Sequence, residues 1–323
     1  MIFPLRRNFG WIFILHSVLP EPERSVFPQN RSLEITPEDL RTILRWVEEK
    51  GLDAIALDDL PQRLTQPGKR KLVCFTFDDG CRDNLVHALP IFREFGMPLA
   101  VNITNGFVGG TVPMWWYFLE DALTANWRLA FRWQGRSYEL LTDTPEARDA
   151  AYDELAGLFR SLGSNRDDLV QCLADVTEVD PLGITRRKAM TWDEVRQMAA
   201  DPLVTIGAHT QAHHSLNQLS DAELLVEVRD ARLELEAQIG RPVRHFAYPF
   251  GGRNAVNERE FALVRGLGFS TMVTTRAGCL SRQHVGVMDR LPRVGISGNA
   301  SVPHSLRLIE SGFAALWQAR SQS

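Results

Sequence analysis

An apolar run that ends in two adjacent acids is the first stretch of this chain whose residue types could do chemistry. Residues 74–80 read Cys-Phe-Thr-Phe-Asp-Asp-Gly, so Asp78 and Asp79 directly follow a predicted buried strand. The carboxyl ends of barrel strands open onto the loop face, where the active sites of α/β barrels lie. Neighbouring carboxylates repel each other, and both stay ionised at neutral pH only where a cation lies beside them. The pair therefore predicts a metal ion or a basic side chain at this strand end.

A histidine pair follows another predicted strand, residues 203–208. His209 and His213 are four positions apart, so one helical turn or one tight loop could direct both imidazoles at a single ion. Two histidines and one carboxylate are a common ligand set for catalytic zinc, which leaves a fourth position for water or substrate. A solvated polar turn is the competing interpretation of so short a motif. The acid pair at a separate strand end favours the metal site.

Residues 245–252 carry a third predicted strand into a rigid Pro-aromatic-Gly-Gly turn. Such a turn presents backbone N–H groups, and the amide of Phe250 is a candidate donor to an oxyanion. Tyr248 and Pro249, at the same strand end, are candidates for contact with a substrate. Taken alone, the motif is also compatible with an ordinary turn from a strand into a loop.

Strands alternate with helices over most of the chain, which predicts an α/β fold. The first strand runs from Gly10 to His16, and residues 71–103 read as a strand, a helix and a second strand. Such a β-α-β unit makes its two strands parallel. Capping boxes at Thr191 and Ser220 mark two helix starts. The whole chain contains seven or eight predicted strands with helices between them, which favours a barrel over an open sheet.

Residues 110–188 interrupt this alternation. An aromatic run begins at Met114, a small hairpin is predicted at residues 131–138, and two amphipathic helices follow. We interpret the segment as a helical insertion in one barrel domain of residues 1–323. It would either pack on the barrel or form a lid over a substrate groove, because insertions on the loop face often carry specificity.

The composition is that of an ordinary globular protein, with 44% hydrophobic and 24% charged residues. A net charge of -4 gives no basis for expecting nucleic-acid binding. The four cysteines form no C-x-x-C pair, and we interpret them as free thiols in a reducing compartment. The oligomeric state does not follow from the sequence.

The N-terminal segment has two interpretations. Arg6 and Arg7 precede an apolar run from Phe9 to Leu19, which superficially resembles a signal peptide. His16 interrupts the run, no small-residue cleavage site follows it, and the run is too short to span a bilayer. We therefore expect a first barrel strand, no transmembrane segment and a cytoplasmic protein, although association with a membrane pathway is compatible with the sequence.

The three motifs together resemble those of the polysaccharide deacetylases, the NodB-like members of carbohydrate esterase family 4. The T-F-D-D-G motif of that family is intact at residues 76–80, and its H-[S/T]-x-x-H motif matches residues 209–213. The resemblance extends from about Trp11 to Arg293, apart from the insertion. It implies a distorted, TIM-like (β/α) barrel with a carbohydrate substrate.

The resemblance also implies roles for individual residues. Asp78 would be the catalytic base, and Asp79, His209 and His213 would hold a divalent metal, usually Zn²⁺. When bound, such a metal polarises the substrate carbonyl and lowers the pKa of a bound water. The Phe250 amide would help to hold the resulting oxyanion, and a histidine would protonate the leaving amine.

The third motif departs from the pattern of many members, which carry an arginine there that orients the base. Residues 246–251 read Phe-Ala-Tyr-Pro-Phe-Gly, similar to a branch that includes the deacetylases of poly-N-acetylglucosamine export. In that branch the acid histidine lies near the N-terminus. His16 matches that location, and His304, before the last predicted helix, is the competing candidate. Arg293 is a candidate partner for Asp78, with a surface or core salt bridge as the alternative.

The sequence thus predicts a metal-dependent hydrolase that removes N-acetyl groups from N-acetylated amino sugars of a polysaccharide, an oligosaccharide or a lipid-linked precursor. Trp115 and Trp116 could stack on sugar rings, although aromatic pairs more often belong to a core. One alternative is removal of a formyl or other acyl group, or hydrolysis of another non-peptide C–N bond. A second alternative is a catalytically silent carbohydrate-binding barrel.

Overall fold

Short strands and helices alternate along the chain, as the sequence predicts. The structure is a computed structural model and describes residues 8–311. In chain order the strands are β1 (Asn8–Leu15), β2 (Ser17–Val18), β3 (Glu34–Ile35), β4 (Asp53–Ala54), β5 (Leu72–Phe77), β6 (Leu99–Ile103), β7 (Arg128–Trp133), β8 (Arg136–Leu141), β9 (Val204–Ala208), β10 (His245–Ala247), β11 (Thr271–Ala277), β12 (Leu280–Ser281) and β13 (Leu291–Gly295). The α-helices are α1 (Pro28–Arg31), α2 (Pro37–Glu49), α3 (Leu60–Thr65), α4 (Leu89–Phe95), α5 (Asn105–Val108), α6 (Trp115–Ala125), α7 (Pro145–Ser161), α8 (Arg166–Thr177), α9 (Pro181–Lys188), α10 (Trp192–Ala199), α11 (Asp221–Leu225), α12 (Ala231–Ile239), α13 (Glu258–Arg265) and α14 (Val302–Ser311).

Seven of the strands close into a parallel barrel. β1 pairs with β5 on one side and with β13 on the other. The ring continues from β5 through β6, β9, β10 and β11 to β13. Outside the ring, β4 pairs in parallel with the start of β5, and β12 runs antiparallel to the start of β1. The closed ring confirms the predicted (β/α) barrel.

The alternation of side chains along each strand decides which residues face the inside of the barrel. On β1, Phe13 and Leu15 pack outward against the surrounding helices, whereas Ile12 belongs to the apolar cluster inside the ring. On β5, Cys74 belongs to the same inner cluster. Asp78 follows Cys74 by four positions, so it continues the inner face at the carboxyl end of β5.

Two predicted helix starts are confirmed. Thr191 caps α10 and Ser220 caps α11, each in a capping box with the acid three residues later. α11 passes into α12 through a π-helical turn, Val226–Asp230, and a second such turn, Asn84–Ala88, precedes α4. π-helical turns are rare and occur frequently at functional sites.

The inserted segment has an apolar core of its own. α6, α7 and α8 pack with the β7–β8 hairpin around buried side chains such as Phe118 and Leu155. The antiparallel hairpin contains the one predicted at residues 131–138. Directly after the segment, the Met190 amide donates to the Gly80 carbonyl at 3.0 Å, next to the acid pair. The extent of one domain over residues 1–323 and the lid role stay predictions.

Two further findings concern the cysteines and the helices of the described part of the chain. All four cysteines are free thiols. Over residues 8–311, every helix is too short or too polar to cross a membrane.

Candidate active site

The three side chains predicted to hold a metal converge at the carboxyl end of the barrel. The Nε2 atoms of His209 and His213 lie 3.6 and 3.4 Å from Oδ1 of Asp79. Nδ1 of His209 lies 2.7 Å from the carbonyl oxygen of Ala247. Because a carbonyl only accepts hydrogen bonds, the His209 proton is on Nδ1 and the lone pair of Nε2 is left for the cluster.

Burial and charge make this cluster suitable for a divalent cation. All three side chains are buried, and Oδ1 of Asp79 has no hydrogen-bond partner among the described residues. The pKa of Asp79 is raised well above its usual value because burial disfavours the carboxylate and Asp78 lies beside it. The pKa of His213 is lowered well below its usual value, mainly because burial disfavours the imidazolium. Two neutral imidazoles and a carboxylate that lacks a positive partner fit a zinc ion.

The loop that carries both histidines is held in a strained conformation. Thr210 and His213 have φ angles of 70° and 55°, in the left-handed region that costs a non-glycine residue about 1–3 kcal/mol. The His213 amide donates to Oγ1 of Thr210 at 2.9 Å. Such strain persists only where surrounding contacts hold the backbone in place.

Two side chains outside the motifs supply such contacts. Arg166, the first residue of α8, donates to the carbonyls of Ala212 and His213 at 2.5 and 3.1 Å. Oε2 of Glu227, in the π-helical turn between α11 and α12, accepts from the Ala212 amide at 2.9 Å. The Glu227 carbonyl accepts from the Gln211 amide at 3.0 Å. Sequence reasoning missed both residues, since they bind backbone groups and belong to no motif.

A buried arginine holds Asp78 as a carboxylate. Nη1 and Nη2 of Arg293 donate to its two oxygens at 2.8 and 2.7 Å, and Nδ2 of Asn102 donates to Oδ1 at 2.7 Å. Burial raises the pKa of Asp78, but the Arg293 guanidinium and the neighbouring His209 outweigh burial, and that pKa lies well below its usual value. Nε of Arg293 donates to the Thr274 carbonyl at 2.8 Å. β13 thus supplies an arginine that the third motif lacks.

Gly207 on β9 leaves the space that Asn102 needs. A Cβ atom at Gly207 would lie 2.1 Å from Oδ1 of Asn102, far inside van der Waals contact. A glycine is therefore required at this position for close approach to the amide that binds Asp78.

His16 lies beside Asp78, whereas His304 does not. β1 and β5 are in parallel register up to their last residues, so His16 and Asp78 are the next pair. Burial lowers the pKa of His16 to about 4; the Asp78 carboxylate opposes this shift, and Arg293 and His209 add to it. His304 is exposed near the start of α14, a helix that packs on α2 outside the barrel.

The turn after β10 places Phe250 against a metal-binding candidate. Phe250 has a φ angle of 59°, and its ring centroid lies 4.8 Å from that of His213. Its amide donates to no described backbone carbonyl, so this N–H is available to a ligand. Pro249 is buried at the strand end and shapes the turn.

Two expectations of substrate contact are corrected. Tyr248 is fully buried, and its hydroxyl donates to the Asp289 carbonyl at 3.0 Å. It packs on the outside of the barrel because the neighbouring Ala247 takes the inner position of β10. Trp115 is 2% exposed and stacks on Phe159 with ring centroids 5.0 Å apart, inside the core of the insertion.

The other tryptophan of the pair reaches the site. The ring centroids of Trp116 and Phe107 lie 5.5 and 5.8 Å from that of His213. Together with Phe250 they form an aromatic wall around this imidazole. An apolar wall excludes water from one side of this imidazole.

Comparison with known proteins gives the same class as the motifs. Residues 182–270 match the family model described as Polysaccharide deacetylase, a range that includes the second and third motifs. Among curated proteins, YxkH of Bacillus subtilis, named provisionally as a polysaccharide deacetylase, is 28% identical over 80 residues, or 24% of this chain. That match spans 29% of the length of the curated relative.

Solved structures share the fold over nearly the whole chain. A deacetylase from Streptococcus pyogenes, PplD in complex with acetate, is 18% identical with a TM-score of 0.59, and 93% of this chain matches 98% of that one. IcaB from Ammonifex degensii is 17% identical with a TM-score of 0.58, over 95% of this chain and 97% of that one. At these identities the structures establish the fold. The family match over residues 182–270 supports the resemblance to the polysaccharide deacetylases, a class of enzymes that hydrolyse C–N bonds.

Proposed function

We propose that the protein is a zinc-dependent hydrolase that removes N-acetyl groups from N-acetylated amino sugars of a polysaccharide, an oligosaccharide or a lipid-linked precursor. The observation that carries the proposal is the position of Asp78 directly beside the Asp79, His209 and His213 cluster. A base that is held ionised next to a candidate metal site is suited to hydrolysis, and the family match supports an amide on a carbohydrate as the substrate.

A divalent cation bound by Asp79, His209 and His213 would polarise the substrate carbonyl and lower the pKa of a water. Asp78 accepts the proton of the attacking water. Its two oxygens offer about four lone-pair sites, and hydrogen bonds from Arg293 and Asn102 occupy three of them. The remaining lone pair is left for the proton.

The other groups act on the carbonyl oxygen and on the leaving nitrogen. The Phe250 N–H donates to the oxyanion, in a turn whose shape is fixed before the substrate binds. His16 donates a proton to the amine as it leaves. Because burial lowers its pKa to about 4, the imidazole is neutral at pH 7, so the proton it donates is the one that Asp78 takes from the attacking water and passes on.

Acetate release from chitooligosaccharides tests the proposal. We expect wild-type protein to lose activity with a chelator and regain it with Zn²⁺, and Asp78→Asn to lose about 10²–10⁴-fold in rate, the usual contribution of a general base. Asp175→Asn, an exposed aspartate on α8, is the matched control and keeps full activity. Equal rates for metal-loaded wild type and Asp78→Asn on every amide tested would refute the proposal.

The same assay separates the alternatives. A deformylase would release formate from N-formylated amino sugars faster than acetate from their N-acetylated counterparts. A silent carbohydrate-binding barrel would bind the oligosaccharides without releasing either acid. Such a protein has no need of an ionised base beside a set of metal ligands. A cytoplasmic location stays a prediction from the sequence.

A further inference from the structure

We propose that Arg166 and Glu227 are positioning residues that clamp the Ala212 peptide from both sides and thereby set the direction of His213. The inserted segment would then complete the metal site, since Arg166 belongs to α8. This inference rests on the proposed metal dependence of the enzyme.

The Ala212 peptide lies between two opposite charges. Its N–H donates to the Glu227 carboxylate and its carbonyl accepts from the Arg166 guanidinium, at 2.9 and 2.5 Å. Hydrogen bonds with one ionised partner are roughly twice as strong as neutral ones. The two bonds therefore fix the plane of the peptide next to His213, whose own carbonyl also accepts from Arg166.

The strain of the loop explains why a clamp is needed. Thr210 and His213 both have positive φ angles, and a loop released from its contacts would relax to negative values. Relaxation would turn the His213 imidazole away from Asp79. Arg166 is 2% exposed, and its guanidinium donates to two successive carbonyls of this loop.

The π-helical turn adds a third contact to the loop. A π-helical turn interrupts the regular i to i+4 pattern of helix hydrogen bonds. In this turn the Glu227 carbonyl accepts from the Gln211 amide, while the carboxylate of the same residue accepts from Ala212. One residue thus binds two successive amides of the loop, which a regular helical carbonyl does not do.

Three variants test the clamp against a control from the same segment. Arg166→Gln and Glu227→Gln each remove one charge, and Arg166→Lys keeps the charge without the two-pronged donor. Arg132→Gln, an exposed arginine on β7, is the matched control. The readouts are Zn²⁺ affinity by competition with a chelator, hydrogen–deuterium exchange of residues 209–214, melting temperature, and kcat and KM for acetate release.

We expect Arg166→Gln and Glu227→Gln to bind Zn²⁺ about 10–100-fold more weakly, the usual effect of losing a group that orients a metal ligand. Exchange of the loop amides rises in both, and kcat falls more than KM changes. The Zn²⁺ affinity and loop exchange of Arg166→Lys should lie between those of wild type and Arg166→Gln, because one ammonium replaces only part of the guanidinium fork. The control matches wild type in every readout.

Two outcomes overturn the inference. Wild-type Zn²⁺ affinity and loop exchange in Arg166→Gln would show that the arginine only attaches the insertion to the barrel. A lower melting temperature with unchanged Zn²⁺ affinity would assign it to stability alone. Failure of the proposed function can be told apart from failure of the clamp. If the wild type binds Zn²⁺ but hydrolyses no amide, the proposed function fails, and the comparisons of Zn²⁺ affinity and amide exchange still test the clamp. A wild type that binds no Zn²⁺ overturns both proposals.

Discussion

The side chains of Arg293 and Asp78 bind each other inside the barrel, although β1 lies between the strands that carry them. β13 and β5 both pair with β1 and not with each other, yet the guanidinium binds both carboxylate oxygens at 2.8 and 2.7 Å. Both side chains are buried, at 0% and 2% exposed. The ionised state of the candidate base therefore depends on an arginine far away in the sequence.

Replacing this arginine should shift the pH dependence of the reaction. In Arg293→Met the pKa of Asp78 rises because its counter-charge is gone, by about 1–3 units. The acidic limb of the kcat/KM profile then moves to higher pH by a similar amount. Breaking a buried ion pair costs about 3–5 kcal/mol of stability, which urea unfolding measures. Arg229→Met, which breaks an exposed pair with Asp230, is the control. If the acidic limb of Arg293→Met stayed at its wild-type pH, Arg293 would not be the residue that keeps Asp78 ionised.

His16→Ala should lose far more turnover than His304→Ala, while both variants retain metal. Only His16 lies next to Asp78 at the strand ends, and removal of a general acid costs about 10²–10⁴-fold in rate. The measurement is kcat for acetate release at matched Zn²⁺ occupancy. The opposite ranking would move the acid role to His304.

Gly207→Ala should reduce activity without touching a reacting group. Its Cβ would lie 2.1 Å from Oδ1 of Asn102, so the amide must move away from Asp78. We expect loss of kcat together with about 1–3 kcal/mol of stability, the usual cost of overpacking. Gly157→Ala on α7 meets no atom within 4 Å and should be neutral or slightly stabilising. Wild-type kcat in Gly207→Ala would show that Asn102 is not needed at its present position.

Asp83 should make the stability of the fold depend on pH. It is buried and accepts from the Val18 amide at 2.7 Å, and burial raises its pKa from 3.8 to about 7. The folded chain then binds the proton more tightly than the unfolded chain. This contribution to the free energy of unfolding is complete below pH 3.8 and is lost as the pH rises to about 7.

The comparison of wild type with Asp83→Asn isolates this effect, since the amide stays neutral. From pH 5 to pH 8, the free energy of unfolding of the variant should rise relative to that of wild type by roughly 2–3 kcal/mol, at 1.36 kcal/mol for each pKa unit. Urea midpoints at the two pH values measure the gain. Asp175→Asn, an exposed site, should show none. The prediction is wrong if Asp83→Asn differs from wild type equally at both values.

The ring of strands and the residues at its carboxyl end could be predicted because both follow from short-range patterns. The alternation of strand and helix patterns along the sequence predicted the barrel. The three candidate ligands and Asp78 sit at or directly after strand ends, where parallel strands bring side chains together. The direction of Tyr248 was mispredicted, although period two from Ala247 would have placed it outside the barrel.

The residues that the sequence did not reveal act over long separations or on backbone groups. The sequence offered Arg293 as a candidate partner for Asp78, but it did not decide between this contact and a surface or core salt bridge, since nothing local selects a strand two places away. Arg166 and Glu227 bind the Ala212 peptide, a group that every residue has, so no residue type marks the contact. Trp115 was a candidate for substrate contact because the start of α6 is apolar on every face, so its pattern does not separate core residues from exposed ones.

The first and last strands of the ring pair with each other to close the barrel, so the contact between Arg293 and Asp78 depends on the last ring strand to be synthesised. β1 must wait for β13, since Phe13 is a register partner of Val294, and such distant pairings form slowly. A nascent chain that has already folded the region of β5 holds Asp78 without its arginine. The candidate base therefore gains its counter-charge only when the ring closes.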